Sequence, residues 1–211
     1  MKVKELTKLS RLLLFSKDSL RQFESRADAL DYNLKYWKKR GVIITLKKGL
    51  YILKDRWDKE TKRDLYLAYL ANKLYEPSYL SLEYVLNKYS LLSEAVYGLT
   101  CITTGSTKFF VNDLGRFSYY SISPKLFSGY KQERSYVVPI LIAKKTKALF
   151  DYLYLRFLKK TPVDPKEVME LRINWENVNP QEFNQLQRYA TLSNSIRVKK
   201  IIELIKNQYY A

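Results

Sequence analysis

The stretch from Ser25 to Leu53, SRADALDYNLKYWKKRGVIITLKKGLYIL, constrains this chain more than any other. Apolar residues at Ala27, Leu30, Leu34 and Trp37 recur at spacings of three and four, which places them on one face of a helix. Ser25, Asp28, Ala29, Tyr32, Lys35, Tyr36 and Lys39 then line the other face, which is polar, aromatic and basic. Gly41 stands where a helix-terminating glycine is expected. VIITL and GLYIL flank Lys47-Lys48-Gly49 as the two arms of a hairpin flank a turn.

Two further helices are expected ahead of this unit. Val3 to Phe15 carries Leu6, Leu9, Leu12, Leu13 and Phe15 at amphipathic spacing, with Lys2, Lys4, Lys8 and Arg11 elsewhere. Ser16 is placed to cap a short helix through Phe23, and Ser25 to cap the third. Helix, short helix, longer helix and basic hairpin follow in the order of a winged helix-turn-helix, assigned to residues 1–57 as a DNA-binding domain. Such a unit lays its third helix in the major groove, where base edges are distinguishable. Ser25 and Arg26 then meet phosphate or base edges, Asp28 accepts from a cytosine amino group, and Tyr32 meets a thymine methyl or a phosphate. Lys35 and Lys39 neutralise phosphate, and Lys47 and Lys48 at the hairpin tip follow the backbone or the minor groove. The competing readings are a simply solvated lysine face and a protein–protein module. Asp28 and Asp31 fit sequence-specific binding better than non-specific binding.

Charge supports an anionic partner. The chain carries 38 Lys and Arg against 21 Asp and Glu, for a net charge of +17, a field that attracts phosphate and is screened by salt. Residues 1–59 hold sixteen of those basic residues and seven of the acidic ones, so charge is densest at the N-terminus. The 19 tyrosines suit either buried positions with a hydrogen-bonded tip or interface use.

Periodicity is lost in DRWDKET between Lys54 and Thr61, where a boundary is expected before a second, α+β domain over residues 60–211. Leu65 to Leu74 has helical spacing that Glu76-Pro77 halts, and Ser81 is placed to cap a helix from Leu82 to Tyr89. GLTCITT, KFFV and GRFSYYSI read as an antiparallel meander, and YVVPILI (136–142) as a further strand that Pro139 pushes towards an edge or bulge. Residues 144–157 have helical spacing, 162–180 is broken by three prolines, and Phe183–Tyr189 and Ser195–Tyr209 give a helical C-terminus. Arg197, Lys199, Lys200 and Lys206 are expected on a basic face of the last helix. The fold class is thus α+β, with an N-terminal winged helix-turn-helix, a small antiparallel sheet and a helical C-terminus.

Most enzyme designs lack their parts. There is no histidine, no glycine-rich phosphate loop and a single cysteine, Cys101, so no intrachain disulfide or usual zinc set is available. Asp113 and Glu133 near Lys144 and Lys145 read as solvated turn residues rather than a nuclease centre, and neither Ser81 nor Ser106 has a recognisable base. No catalytic residue, metal or cofactor is expected. With no apolar run approaching ~20 residues and no h-region at the start, a cytoplasmic protein without membrane contact is expected.

The segment Leu70 to Leu86, LANKLYEPSYLSLEYVL, resembles the signature of the AbiEi-type antitoxins of type IV toxin–antitoxin systems. Leu91-Leu92-Ser93-Glu94, Leu99 to Thr104, Gly115 to Tyr119 and Leu126 to Tyr130 resemble that family's later blocks in order and spacing, and the similarity spans roughly residues 5–157. One departure stands out: Lys145-Thr146-Lys147-Ala148-Leu149 replaces Pro-Glu-Lys-Ala-Leu, so the family's glutamate is absent at Thr146. The resemblance implies an antitoxin that represses its own promoter through repeats in double-stranded DNA and opposes a nucleotidyltransferase-like toxin. A protein-interaction module that blocks a toxin by contact, a regulator with no toxin partner, and an enzyme that modifies the toxin are the alternatives.

Overall fold

Strands β1 (Phe15–Ser16), β2 (Ile43–Lys47) and β3 (Leu50–Leu53) form a small antiparallel sheet in the order β1-β3-β2. The structure is a computed structural model and describes residues 7–158 and 161–210. The β2–β3 hairpin is buried on both faces. Because side chains alternate along a strand, Ile43 and Leu53 enter one core with Leu9, Phe15, Leu20, Leu30, Leu34 and Trp37, while Ile44, Leu46, Leu50 and Ile52 enter a second, larger core. The near-continuous apolar run of both arms follows from this double burial.

The N-terminal helices differ from expectation in length. Residues 1–6 lie outside the described residues. Thr7–Arg11 is a single 3₁₀ turn, and Phe15 leaves it to pair with Tyr51 in the sheet, so no helix extends to Phe15. Helix α1 (Lys17–Leu20) is capped by Ser16, whose Oγ accepts from the Ser19 backbone N–H while the Ser19 hydroxyl answers the Ser16 N–H. Helix α2 (Ala27–Lys39) buries Leu30, Leu34 and Trp37 but leaves Ala27 exposed, since Ala27 lies in the first turn, above the edge of the core. Each large apolar side chain so buried stabilises the fold by about 1.5–3 kcal/mol. Gly41, at φ +65°, ends α2 in a conformation that costs other residues steric strain.

The segment expected to be an aperiodic boundary forms helix α3 (Lys54–Lys59). Its charges of both signs are an i,i+4 ladder, with Lys54 on Asp58 at 2.9 Å and Lys59 on Asp55 at 2.8 Å. Helix α4 (Arg63–Leu74) follows at once. Contacts are made across 54–61 and to it: Tyr66 Oη donates to the Leu13 carbonyl and Asn112 Nδ2 to the Leu46 carbonyl at 3.0 Å, while Tyr136 Oη donates to Glu60 within the segment at 2.6 Å.

The second sheet has six strands in the order β6-β7-β5-β4-β9-β8, formed by β4 (Ser78–Leu80), β5 (Leu99–Thr103), β6 (Lys108–Asn112), β7 (Gly115–Ser121), β8 (Tyr130–Glu133) and β9 (Ile140–Ala143). It is mixed rather than a meander: β5 pairs with β7 in parallel and β4 with β9 in parallel, the other neighbours being antiparallel. Strand β9 starts after Pro139, whose missing N–H would have broken the ladder. Helix α4 packs on the face of the sheet that carries Leu80, Cys101 and Tyr119, with Tyr119 Oη on the Ala71 carbonyl at 2.6 Å. Helices α5 (Leu82–Lys88) and α6 (Lys145–Phe157) take the opposite face, followed by α7 (Pro165–Glu170) and the pair α8 (Pro180–Ser193) and α9 (Ile196–Tyr209). On α9, Lys199, Lys200 and Lys206 are exposed, whereas Arg197 turns inward to the Phe157 and Thr161 carbonyls and leaves the basic face.

Candidate nucleic-acid interface

Helix α2 anchors one face and presents the other. Asp28, Tyr32, Lys35 and Lys39 succeed one another at spacings of four, three and four, and all four are exposed, Tyr32 to 71%. A stripe of this spacing runs nearly parallel to the helix axis. Ser25 and Arg26 are exposed at its head. Arg26, rather than Ser25, occupies the N-cap position and makes no side-chain cap, while the Glu24 carboxylate accepts from its backbone N–H at 3.3 Å. A hollow of about 450 Å³ bounded by Glu24, Arg26, Asp28, Ala29, Tyr32 and Asn33 lies beside it.

One acid of this helix is neutralised within the protein. Asp31, an acid on this helix, is held by the Lys17 ammonium at 2.6 Å, and that hydrogen bond lowers its pKa. The pair removes much of its repulsion towards phosphate. Tyr36 is exposed with the Arg40 guanidinium 5.7 Å from its ring centre. Arg40 was not singled out by helical spacing, because it lies past the last turn.

The hairpin tip divides the two remaining candidates. Lys48 is exposed. Lys47 is not available in the same way: its Nζ donates to the Leu74 carbonyl at 2.6 Å and lies 6.0 Å from the Phe110 ring centre, tying the hairpin to α4 and β6. A register shift between Thr45 and Lys47 breaks the alternation of β2 and pairs Lys47 with Leu50, whose side chain faces the larger core, so two adjacent lysines have different surroundings.

A second polar centre lies inside the larger unit. Tyr79 Oη and Ser81 Oγ donate to Asp151 Oδ2 at 3.0 and 2.8 Å, and the Lys147 ammonium pairs with Asp151 Oδ1 one helical turn away. Lys147 and Asp151 are both fully buried. Burial pushes the Asp151 pKa up and the Lys147 pKa down, in each case against the attraction of the partner. Ser81 sits at the N-cap position of α5 yet makes no side-chain cap; its hydroxyl is taken by Asp151. Sealed from solvent, this network joins β4 to α6 and offers no surface to a substrate. Among the described residues no cluster of three or more His, Cys, Asp or Glu is arranged to hold a metal, and no helix is long and apolar enough to cross a membrane. In comparisons with protein families and with characterised proteins, the chain matches no family model and no characterised sequence.

Proposed function

We propose that this protein is a DNA-binding regulator whose N-terminal unit acts as a winged helix, inserting α2 into the major groove. The observation that carries the proposal is the exposed stripe Asp28–Tyr32–Lys35–Lys39 on a helix fixed from behind by Leu30, Leu34 and Trp37. Rigid presentation suits base reading, and lysines beside it suit phosphate. Arg26 and Ser25 at the exposed head of α2 and Lys48 at the hairpin tip complete the contact set. Lys47, held by Leu74, serves the internal packing instead.

The resemblance to AbiEi-type antitoxins supplies the rest of the proposal: autorepression at promoter repeats, and opposition to a nucleotidyltransferase-like toxin by the residues after 60. Anisotropy titrations with the fragment upstream of this protein's own gene test the first half. Tighter binding to that fragment than to random DNA, falling steeply with salt, is expected; equal affinity for both defeats the repressor reading. Growth rescue on co-expression with the toxin tests the second half.

A second reading, a module that neutralises a toxin by direct contact, is favoured by Phe109 and Val111, which are exposed side by side on the edge strand β6. Co-purification that survives moderate salt distinguishes it.

A further inference from the structure

The helix layer on the α5–α6 side of the large sheet stops short of β6 and β7, and the uncovered part is a cleft rather than a flat face. Its volume is about 760 Å³, within the range of small-molecule sites. Its floor is Thr100, Arg116, Ser118 and Tyr120, which the strand register places on one face of β5 and β7. Its walls come from Glu83 on α5, Tyr152 and Arg156 on α6, Glu170 at the end of α7 and Arg172 just after it, together with Glu94.

Two wall side chains, Glu83 and Arg156, are half-buried, and Arg156 also reaches Glu167 through a terminal nitrogen at 3.3 Å. The carboxylate of Glu83 and the guanidinium of Arg156 give this lining an acceptor and donors together. The guanidinium of Arg172 is engaged only by an exposed pair with Glu94, at 2.9 Å with both side chains more than two-thirds exposed, which is easily exchanged for another anion. Tyr97, 90% exposed at the rim, and Tyr120 and Tyr152 within offer aromatic surface.

We infer that this cleft binds a nucleotide, with the N–H edge of the base on Glu83, the ring against the tyrosines, and the phosphates on Arg116, Arg156 and Arg172. A carboxylate accepts from base N–H groups, and guanidinium forks match phosphate oxygens. A base edge and a phosphate together use both the acceptor and the donors of this lining, which inorganic phosphate alone does not. The cleft shares no residue with the exposed stripe of α2, so its occupancy and DNA binding stand or fall separately.

Calorimetric titration of the full chain with GTP, ATP, UTP and CTP, and with tripolyphosphate, tests this. At least one nucleotide is expected to bind about tenfold or more tightly than tripolyphosphate, because the base contributes contacts of its own. Glu83→Gln, which turns an acceptor into a partial donor at nearly constant size, and Arg116→Ala are each expected to weaken that nucleotide by about tenfold or more, with unchanged melting of the unliganded protein. Failure of all four nucleotides to bind below about 1 mM overturns the inference. So does equal binding of tripolyphosphate, or nucleotide affinity that neither substitution alters.

Discussion

Ser81 Oγ lies 2.8 Å from Asp151 Oδ2, joining the end of a three-residue central strand to a helix 70 residues further along the chain. The carboxylate accepts from Ser81, Tyr79 and Lys147 together, so a charge that burial disfavours is held by three donors. Removing one partner of such a pair leaves the other charge buried without compensation. Lys147→Met and Asp151→Leu are each expected to cost about 3–5 kcal/mol, while the double substitution costs much less than their sum. Ser81→Ala, which leaves Tyr79 and Lys147 in place, is expected to cost about 1–2 kcal/mol. Urea denaturation midpoints of the four variants measure this coupling directly.

Gly129 closes over the same network. It has φ +77°, and a Cβ there would run into Tyr189 Oη and against the Lys147 side chain. Tyr189 and Phe150 also face the Lys147 ammonium, at 5.6 and 5.0 Å from their ring centres. Gly129→Ala therefore combines backbone strain with overpacking, and a loss of about 2 kcal/mol or more is expected in thermal melting. A melting temperature equal to that of the parent would mean that the turn relaxes freely.

The parts legible in the sequence were those with local causes. Leu30, Leu34 and Trp37 lie buried where the helical spacing puts them, and Ser16 forms the cap that its position before Lys17 indicates. Long-range pairing was not legible. Strand β4 is only Ser78–Leu80, too short to show alternation, and the parallel pairing of β5 with β7 depends on β6 folding to the outside. Ser81 looks like a cap locally and becomes a ligand of Asp151 only once α6 crosses the sheet. The exposure of Asp28, Tyr32, Lys35 and Lys39 followed from helical spacing, but the anchoring of half-buried Lys47 did not, because Leu74 reaches it from another element.

Glu60 links α3 to the loop before β9, accepting from Tyr136 Oη at 2.6 Å. That hydrogen bond, with Arg56 nearby, holds the carboxyl below its usual value of 4.5, against the opposing effect of desolvation. A folded-state pKa below the unfolded one contributes stability that is fully present above the unfolded value and is lost as pH falls through the folded one. Tyr136→Phe is thus expected to cost about 1–2 kcal/mol at neutral pH. The difference from the parent shrinks towards zero in acid, where the carboxyl is protonated in both proteins. Melting curves at neutral pH and well below pH 4.5 separate this from a general packing loss, which would persist at both.

Lys35 and Lys47 provide the sharpest contrast for DNA binding, since they lie in one basic unit with opposite surroundings. Lys35 is exposed on α2, whereas Lys47 donates to the Leu74 carbonyl. An exposed lysine that neutralises one phosphate releases about one counterion, so Lys35→Ala is expected to reduce the slope of log K against log salt by about 0.9. Its effect on folding stability is expected to stay within about 0.5 kcal/mol, as for most surface substitutions. Lys47→Ala removes a hydrogen bond that ties the hairpin to α4 and is expected to cost about 1–3 kcal/mol of stability, with the salt slope unchanged. If instead Lys47→Ala lowered the slope and Lys35→Ala did not, DNA would have to approach along the hairpin and β6, and α2 would no longer be the reading element.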